Sequence, residues 1–356
     1  MWTPKQRRLA GAVRLACAGV ACIVAVAVPA AVAQDGGTLS VQEGGVVGGP
    51  LAVTHPGVGT PPERGDGAQR AADAALARLR QGDSALDAAL QGTVVMEDDP
   101  RYNAGTGANI RLDGRTIQMD ASLMTSDGRF AAVAVIERVR NPIRVVRDVL
   151  DTPHLLLAGE GATRFAHRMG HADVVPTCPE AEAKYARRLA RVRAELGDPS
   201  GDSFDWPAHW NFPNPLPDAL RDLSKGGDTV GTVVRDADGR FAATLSTGGT
   251  SITLHGRVGD VPIFGAGVFA GPAGAVACTG HGEEIIRHAM ARSVYEAMAT
   301  GASAAEAVAA SVRAFPNESD LGLIAVDAQG WGVAANRSMG FGVAGATTSG
   351  AASRHD

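Results

Sequence analysis

The feature that most constrains the fold is a pair of strand-like segments joined by a very short turn, which occurs twice in the second half of the chain. Apolar, β-branched segments at Thr229–Arg235 and Phe241–Thr247 flank an Asp-Ala-Asp-Gly turn, and Leu323–Asp327 and Trp331–Ala335 flank a Gln-Gly turn. So few residues can join only antiparallel neighbours, because a parallel pair needs a crossover of about a dozen residues or more. The sequence therefore favours antiparallel sheets over a doubly wound parallel sheet.

Helices are predicted on both sides of these hairpins. Apolar spacing predicts two helices over Ala68–Leu90, broken at Gly82-Asp83, where Asp83 can act as an N-cap. The other predicted helices are Ile143–Leu150, Glu180–Leu196, Glu283–Ala299 and Ser303–Ala314, and the other predicted strands are Ile110–Met119 and Phe130–Ile136. This order predicts an α/β fold, a four-layer αββα sandwich of two antiparallel sheets covered by helices.

The first 33 residues are typical of an export signal. Four basic residues precede an apolar run that ends in the small residues Ala31-Val32-Ala33. We predict cleavage after Ala33 and a periplasmic or secreted location. An uncleaved membrane anchor is the competing interpretation, since the run is close to spanning length, and Arg7-Arg8 leaves the twin-arginine route open.

Charge and cysteine content exclude several functional classes. Removing the leader leaves 29 basic and 38 acidic residues, a formal charge of −9. Such an acidic chain is a poor candidate for binding nucleic acid, and we expect no stable membrane association once the signal is removed. Cys178 and Cys278 would be the only cysteines left, and we expect them to stay unpaired.

Two irregular segments divide the mature chain. Residues 34–50 are Gly-rich and are predicted to be a flexible N-terminal tail, and residues 197–228 form a Pro/Gly-rich connector that ends in Gly226-Gly227-Asp228. Thr229 follows as the first residue of a predicted buried strand. If the chain is cut between Asp228 and Thr229, the new α-amine can take the proton of the threonine hydroxyl, so one residue supplies both nucleophile and base.

Polar and glycine-rich clusters follow the later strands, where loops carry function. Arg257 and Asp260 lie three residues apart, so a guanidinium and a carboxylate could together hold the α-carboxylate and α-amine of an amino acid. An ordinary surface ion pair is the alternative for this spacing.

These motifs together resemble the plant-type asparaginase and isoaspartyl peptidase family, the N-terminal-nucleophile hydrolases that include the glycosylasparaginases. The resemblance extends from about Leu51 to Gly342. The motifs are YNAGTGA, DASLM, DTVGTVV, STGG, HGRVGD, GAG and CTGHGE, in that order.

The resemblance implies the fold of that family, called the Ntn-hydrolase fold, and a role for each matching residue. It implies autocleavage between Asp228 and Thr229 into an α subunit (51–228) and a β subunit (229–356) that form one folded domain. It also implies an (αβ)2 dimer of these heterodimers and no organic cofactor. Thr229 would be the nucleophile and Thr247 would tune it. The oxyanion hole would be Thr279 and Gly280, and the substrate would contact Arg257, Asp260, Asn103 and Gly249.

The resemblance also implies a structural sodium ion, held mainly by main-chain carbonyls. The residues of this loop are Met96, Glu97, Asp99, Tyr102, Ala104 and Thr106.

Three positions depart from the isoaspartyl-peptidase pattern. Asp228 stands where that branch has glycine, His281 stands where TGTGE has a hydroxyl residue, and Pro56 interrupts the family's HGGAG segment. The predicted function is an autoproteolytic threonine amidohydrolase that cleaves β-aspartyl bonds in isoaspartyl dipeptides and L-asparagine. A glycosylasparaginase and an uncleaved exported amino-acid-binding protein are the two alternatives.

Overall fold

The computed structural model describes residues 39–45, 48–195, 229–345 and 352–355. The predicted leader (1–33), the predicted connector (197–228) and Asp228 lie outside this part of the chain. Within the described part, no helix combines the length and apolarity that are needed to cross a membrane.

Two β-sheets form the centre of the molecule. The strands are β1 (Ser40–Gly45), β2 (Leu51–His55), β3 (Met119–Thr125), β4 (Phe130–Ile136), β5 (Leu156–Ala158), β6 (Val230–Arg235), β7 (Phe241–Thr247), β8 (Val268–Gly271), β9 (Gly274–Gly280), β10 (Leu321–Val326), β11 (Gly330–Ala335), β12 (Gly342–Gly345) and β13 (Ala352–His355). The first sheet has the order β13-β1-β11-β10-β9-β8 and the second has β12-β2-β6-β7-β3-β4-β5. Within the described residues, the paired strands are antiparallel except for β4 and β5, which are parallel.

Helices cover the outer faces of both sheets. They are α1 (Gly65–Arg80), α2 (Ala85–Glu97), α3 (Pro142–Val149), α4 (Gly159–Arg168), α5 (Pro179–Glu195), α6 (Gly282–Arg287), α7 (Met290–Ala299) and α8 (Ala304–Ala314). The start of α8 is a capping box, in which Ser303 and Glu306 satisfy each other's backbone amides. At α2 the cap is Ser84, whose hydroxyl accepts from the Asp87 amide, rather than the Asp83 predicted above.

Three apolar layers hold these elements together. The central layer lies between the sheets and includes Val53, Leu245 and Ile324. Outside the second sheet, α1 to α4 pack on β2, β3, β4, β6 and β7. Outside the first sheet, α6, α7 and α8 pack on β9, β10 and β11. The four layers are therefore helix, sheet, sheet and helix, which is the predicted αββα sandwich of the α/β class.

Three predicted elements were wrong in position. The strand expected at Ile110–Met119 begins only at Met119, because the Asp113-Gly114 turn folds residues 111–116 back into a loop in which the Arg111 amide donates to the Thr116 carbonyl. Residues 40–45 of the expected tail form β1, which gains a full hydrogen-bond ladder from β11. The single helix expected over Glu283–Ala299 is broken at Ala289, whose φ of 43° cannot continue a right-handed helix.

Both sheets contain strands from each side of residue 228. In the second sheet β6 lies between β2 and β7, and in the first sheet β1 pairs with β11. The two chains of a molecule cut before Thr229 would therefore share both sheets.

Candidate active site

Strand alternation directs a set of polar side chains into the space between the sheets. Side chains at every second position of a strand share one face. Val53, Val233, Leu245, Met124 and Ala277 belong to the layer between the sheets. Counting from them along β2, β6, β7, β3 and β9 in steps of two places five polar side chains on the same inner faces. These are His55, Thr229, Thr247, Asp120 and Thr279.

The register of the second sheet brings four of these residues to the same end of neighbouring strands: His55, Thr229, Thr247 and Asp120. His55 pairs with Gly231, Val230 with Ser246, and Asp120 with Thr247. Extending the β6–β7 register by one residue places Thr229 opposite Thr247. The hydroxyl that the sequence assigns to the nucleophile therefore lies beside the one assigned to tuning it, and Thr229 is buried.

The first sheet supplies Thr279 and Gly280 at the end of β9. The Val58 amide, in the loop after β2, donates to Thr279 Oγ1 over 3.2 Å, so this loop ties the two sheets together at the site. Gly280 has a φ of 144°, and an added Cβ would lie 2.1 Å from the Asp320 carbonyl oxygen. Only glycine fits there, which fixes the direction of the backbone that follows Thr279.

Arg257 and Asp260 lie in the loop between β7 and β8. Ser122 on β3 anchors this loop by donating to the carbonyl of Val261, 2.5 Å away. Asp260 is 4% exposed, and its Oδ2 has no hydrogen-bond partner within the described part of the chain. Desolvation raises the pKa of Asp260 to about 7, although Arg257 opposes the rise. Asp260 is thus a buried, partly unsatisfied acceptor that an incoming ammonium group would pair.

Asn103 and Gly249 are joined directly. Asn103 Nδ2 donates to the Gly249 carbonyl over 2.6 Å, and the Gly249 amide donates to Thr247 Oγ1 over 3.0 Å. Gly249 has a φ of 70°, a conformation that favours glycine. The loop after α2 is therefore fastened to the end of β7 next to the threonine pair.

Two polar residues of this region were not predicted from the sequence. Asn109 donates to the same Gly249 carbonyl, 2.6 Å away. The buried Arg111 donates to the carbonyls of Gln118 and Arg257 over 3.2 and 3.1 Å. Neither residue lies in a motif that stands out by spacing, and only the folded loops bring them to the site.

Two further buried groups show that this end of the sheet is shielded from water. Desolvation lowers the pKa of His55 to about 3, with the Thr229 backbone opposing it, so the ring is neutral. Desolvation raises the pKa of Asp120, although the Val135 amide donates to its Oδ1 over 2.7 Å. Charges brought to such a site interact strongly because little water screens them.

The loop predicted to bind sodium is closely folded. The carbonyls of Met96, Asp99, Tyr102 and Ala104 each accept a backbone amide of the same loop. An added Cβ on Gly105 would lie 2.4 Å from the Glu97 carbonyl and 2.9 Å from the Arg140 carbonyl. No group of three or more His, Cys, Asp or Glu side chains suited to a metal occurs in the described residues, so main-chain oxygens would have to supply the ligands. Oxygen donors of this kind suit hard cations, and sodium binding by this loop stays a prediction.

Cys178 and Cys278 are both buried and both free, as expected from the sequence. Desolvation raises the pKa of each thiol, which keeps it unreactive.

The arrangement combines three hydroxyls, a glycine-shaped backbone turn and an Arg-Asp pair at one end of the space between the sheets. A guanidinium and a carboxylate side by side suit a ligand that carries both a carboxylate and an ammonium group. The threonine hydroxyls lie at the neighbouring strand ends, where such a ligand would present its remaining atoms.

Comparison with known proteins extends these observations. A family model described as asparaginase matches residues 54–353. The plant-type L-asparaginase of Pyrococcus furiosus is 36% identical over 289 residues, which cover 78% of this chain and 90% of that protein. The isoaspartyl peptidase/L-asparaginase of Danio rerio is 37% identical over 270 residues (72% of this chain, 79% of that protein), and that of Homo sapiens is 35% identical over 252 residues (68% and 75%).

Proposed function

Because this chain belongs to the asparaginase family and is a hydrolase, we propose that it hydrolyses β-aspartyl amide bonds, with isoaspartyl dipeptides and L-asparagine as substrates. The relatives named asparaginase and isoaspartyl peptidase support this activity. The single observation that carries the proposal is the meeting of Thr229, Thr247 and Thr279 with Arg257 and Asp260 at one end of the space between the sheets.

In this proposal the chain cuts itself between Asp228 and Thr229. A free α-amine at Thr229 has a pKa near neutrality, roughly 8, so it can accept the hydroxyl proton that an internal threonine has no means of losing. The dry surroundings of Thr229, indicated by the neutral His55 ring, favour the uncharged amine.

The reaction then proceeds in two halves. Thr229 Oγ attacks the side-chain carbonyl carbon of the substrate while its proton passes to the α-amine. The Thr279 hydroxyl and the Gly280 amide would stabilise the oxyanion. The C–N bond breaks, the leaving amine takes the proton, and a β-aspartyl ester stays on Thr229. A water molecule, deprotonated by the same α-amine, attacks the ester carbonyl and releases aspartate, which restores the hydroxyl.

Substrate recognition would use the loop between β7 and β8 together with the loop after α2. Arg257 would bind the α-carboxylate, Asp260 the α-ammonium, and Asn103 with the Gly249 backbone would position the rest of the aspartyl group. Thr247, opposite Thr229, would orient the nucleophile.

Four further points are part of the proposal. Sodium held by main-chain carbonyls between Met96 and Thr106 would stiffen the loop that carries Asn103. No organic cofactor takes part in the steps above. The cut molecule would form an (αβ)2 dimer, and residues 1–33 would direct export.

An intact-mass spectrum of the mature protein, incubated at neutral pH, tests the proposal first. We expect two fragments, produced by a cut after Asp228, in the wild type and in Thr229→Ser, and one uncut chain in Thr229→Ala. Hydrolysis of a β-aspartyl dipeptide, L-asparagine and a glycosylasparagine is then measured side by side. An uncut wild-type chain that binds L-aspartate without turnover would contradict the proposal and favour the amino-acid-binding alternative, and a preference for the glycosylasparagine would favour a glycosylasparaginase.

A further inference from the structure

Arg257 already holds a carboxylate of this chain. Its Nε donates to Glu283 Oε1 over 3.0 Å and its Nη2 to Oε2 over 2.8 Å, a two-bond pairing of the guanidinium with the carboxylate. The Arg257 side chain is 16% exposed, whereas that of Glu283 is 39% exposed. Two parallel charge-assisted bonds fix the plane of the guanidinium as well as its position.

The opposite edge of the guanidinium is left for another ligand. Within the described residues, the side-chain hydrogen bonds that the Arg257 guanidinium donates come from Nε and Nη2, and both go to Glu283. The backbone closes in beside the group, since an added Cβ on Gly282 would lie 2.9 Å from Nη2 and one on Gly259 would lie 2.9 Å from Nη1. Glu283 occupies the Nε–Nη2 edge, so the donors of Arg257 that stay available for a substrate carboxylate are Nη1 and the second hydrogen of Nη2.

The charges around Arg257 explain why a separate partner is needed. Asp260 is a near neighbour, because the added Cβ on Gly282 that would lie 2.9 Å from Arg257 Nη2 would also lie 3.1 Å from Asp260 Oδ1. Asp120 and Asp260 are both buried, and both attract the guanidinium electrostatically. Without Glu283 the guanidinium would be drawn towards these carboxylates. A salt bridge between Arg257 and Asp260 would then occupy the two groups that are proposed to bind the substrate, here called the gripping pair. Asp260 Oδ2 would no longer be open to an ammonium group.

The surroundings of Glu283 tie it to this one arginine. The His281 ring lies nearby, with Nε2 3.6 Å from Glu283 Oε2, and its Nδ1 pairs with the Ser319 hydroxyl. The next residue, Glu284, pairs instead with Arg287 on the outer side of α6. The two glutamates thus share a helical turn but contact different partners.

We propose that Glu283 is a positioning residue that holds the Arg257 guanidinium away from Asp260, so that the site selects substrates carrying both a free α-carboxylate and a free α-ammonium group. This inference rests on the proposed function, because it assigns the gripping pair to an aspartyl substrate. Glu283 does not touch the reacting atoms.

Steady-state kinetics of Glu283→Gln test the inference, with Glu284→Gln as the matched control from the same helical turn. The first substrate is a β-aspartyl dipeptide in which the α-carboxylate of the aspartyl residue is free. The second is the same dipeptide with that aspartyl α-carboxylate converted to an amide. We expect Glu283→Gln to raise KM for the free acid by about tenfold, with a smaller change in kcat. The contact that is lost is the one between Arg257 and the substrate carboxylate, and one well-formed charged hydrogen bond contributes about 1.4 kcal/mol or more. The preference for the free acid over the amide should fall by a similar factor, and Glu283→Asp should recover part of it.

Binding of L-aspartate, measured by calorimetry, separates this inference from the proposed function. Weaker binding in Glu283→Gln but not in Glu284→Gln supports the inference even if the wild type hydrolyses neither dipeptide, a result that would contradict the proposed function alone. Equal affinity and equal KM in the two variants, or an equal loss for both dipeptides, would overturn the inference while leaving the hydrolase intact. A wild type that neither binds L-aspartate nor hydrolyses a dipeptide would contradict both.

Discussion

The buried carboxylate of Asp260 should destabilise the empty protein at alkaline pH. Its pKa rises from the ordinary 3.8 to about 7 because burial penalises the charged form. The folded state therefore holds the proton more tightly than the unfolded state. The resulting contribution favours folding below about pH 4 and is lost as the pH rises through about 7. At about 1.4 kcal/mol per pKa unit, the loss is about 4 kcal/mol.

Replacing Asp260 with asparagine should remove this dependence. An amide of the same shape does not ionise, so Asp260→Asn should be more stable than the parent by an amount that grows by about 3 kcal/mol between about pH 4.5 and pH 8. The same change should abolish L-aspartate binding, because the amide cannot pair an ammonium group as a charged acceptor.

Urea unfolding of the Thr229→Ala background measures this difference on a single uncut chain, where one free energy of unfolding is defined. Asp238→Asn is the control, since Asp238 is exposed in the β6–β7 turn and pairs with Arg240 at the surface. The reasoning would be refuted if the difference in free energy of unfolding between Asp260→Asn and its parent did not change with pH, or if the variant were less stable than the parent at pH 8.

Three shorter predictions concern the same region. Gly282→Ala places a Cβ 2.9 Å from Arg257 Nη2 and 3.1 Å from Asp260 Oδ1, so KM for β-aspartyl dipeptides should rise severalfold; an unchanged KM would contradict the close packing. Gly231→Ala places a Cβ 2.4 Å from His55 Nε2 inside the sheet packing, and the free energy of unfolding should fall by about 1–3 kcal/mol in calorimetry, whereas a neutral change would show that the ring can move. Exchange of Na⁺ for tetramethylammonium should lower the melting temperature by about 2–4 °C if residues 96–106 hold the ion, and equal melting curves in the two salts would argue against it.

Local signals predicted much of the fold. The Asp236–Gly239 turn is closed by the Asp236 amide and carboxylate, and Ser303 caps its helix, so short-range chemistry decided both. The αββα layering followed from the order of such elements.

Long-range contacts decided what the sequence could not predict. The apolar and β-branched residues within Ile110–Met119 predict a strand, but the Asp113-Gly114 turn reverses the chain inside this segment. The buried Arg111 donates to Thr253, Gln118 and Arg257, and these contacts hold the segment as a loop. No glycine or proline at Ala289 predicts the break in the helix. The cost of the left-handed backbone there is offset by the packing of the flanking helices on the first sheet.

The site shows the same division. Motifs indicated Thr229, Arg257 and Asp260, because each stands in a polar cluster at a strand end. The pairing of Arg257 with Glu283 depends on where α6 begins, and the approach of Asn109 to Gly249 depends on how two distant loops meet. Spacing along the chain carries no signal for either contact.

The sharing of both sheets between the segments before and after residue 228 makes folding a one-way process for a molecule that cuts itself. The precursor closes its sheets within one chain, at a rate that does not depend on concentration. Once β6 begins a chain of its own, a fully denatured molecule must recruit its central strand from solution before β2 and β7 have a neighbour. If the chain is cut as proposed, the lifetime of the folded molecule would be set by its rate of unfolding, and an unfolded molecule would be replaced by new synthesis.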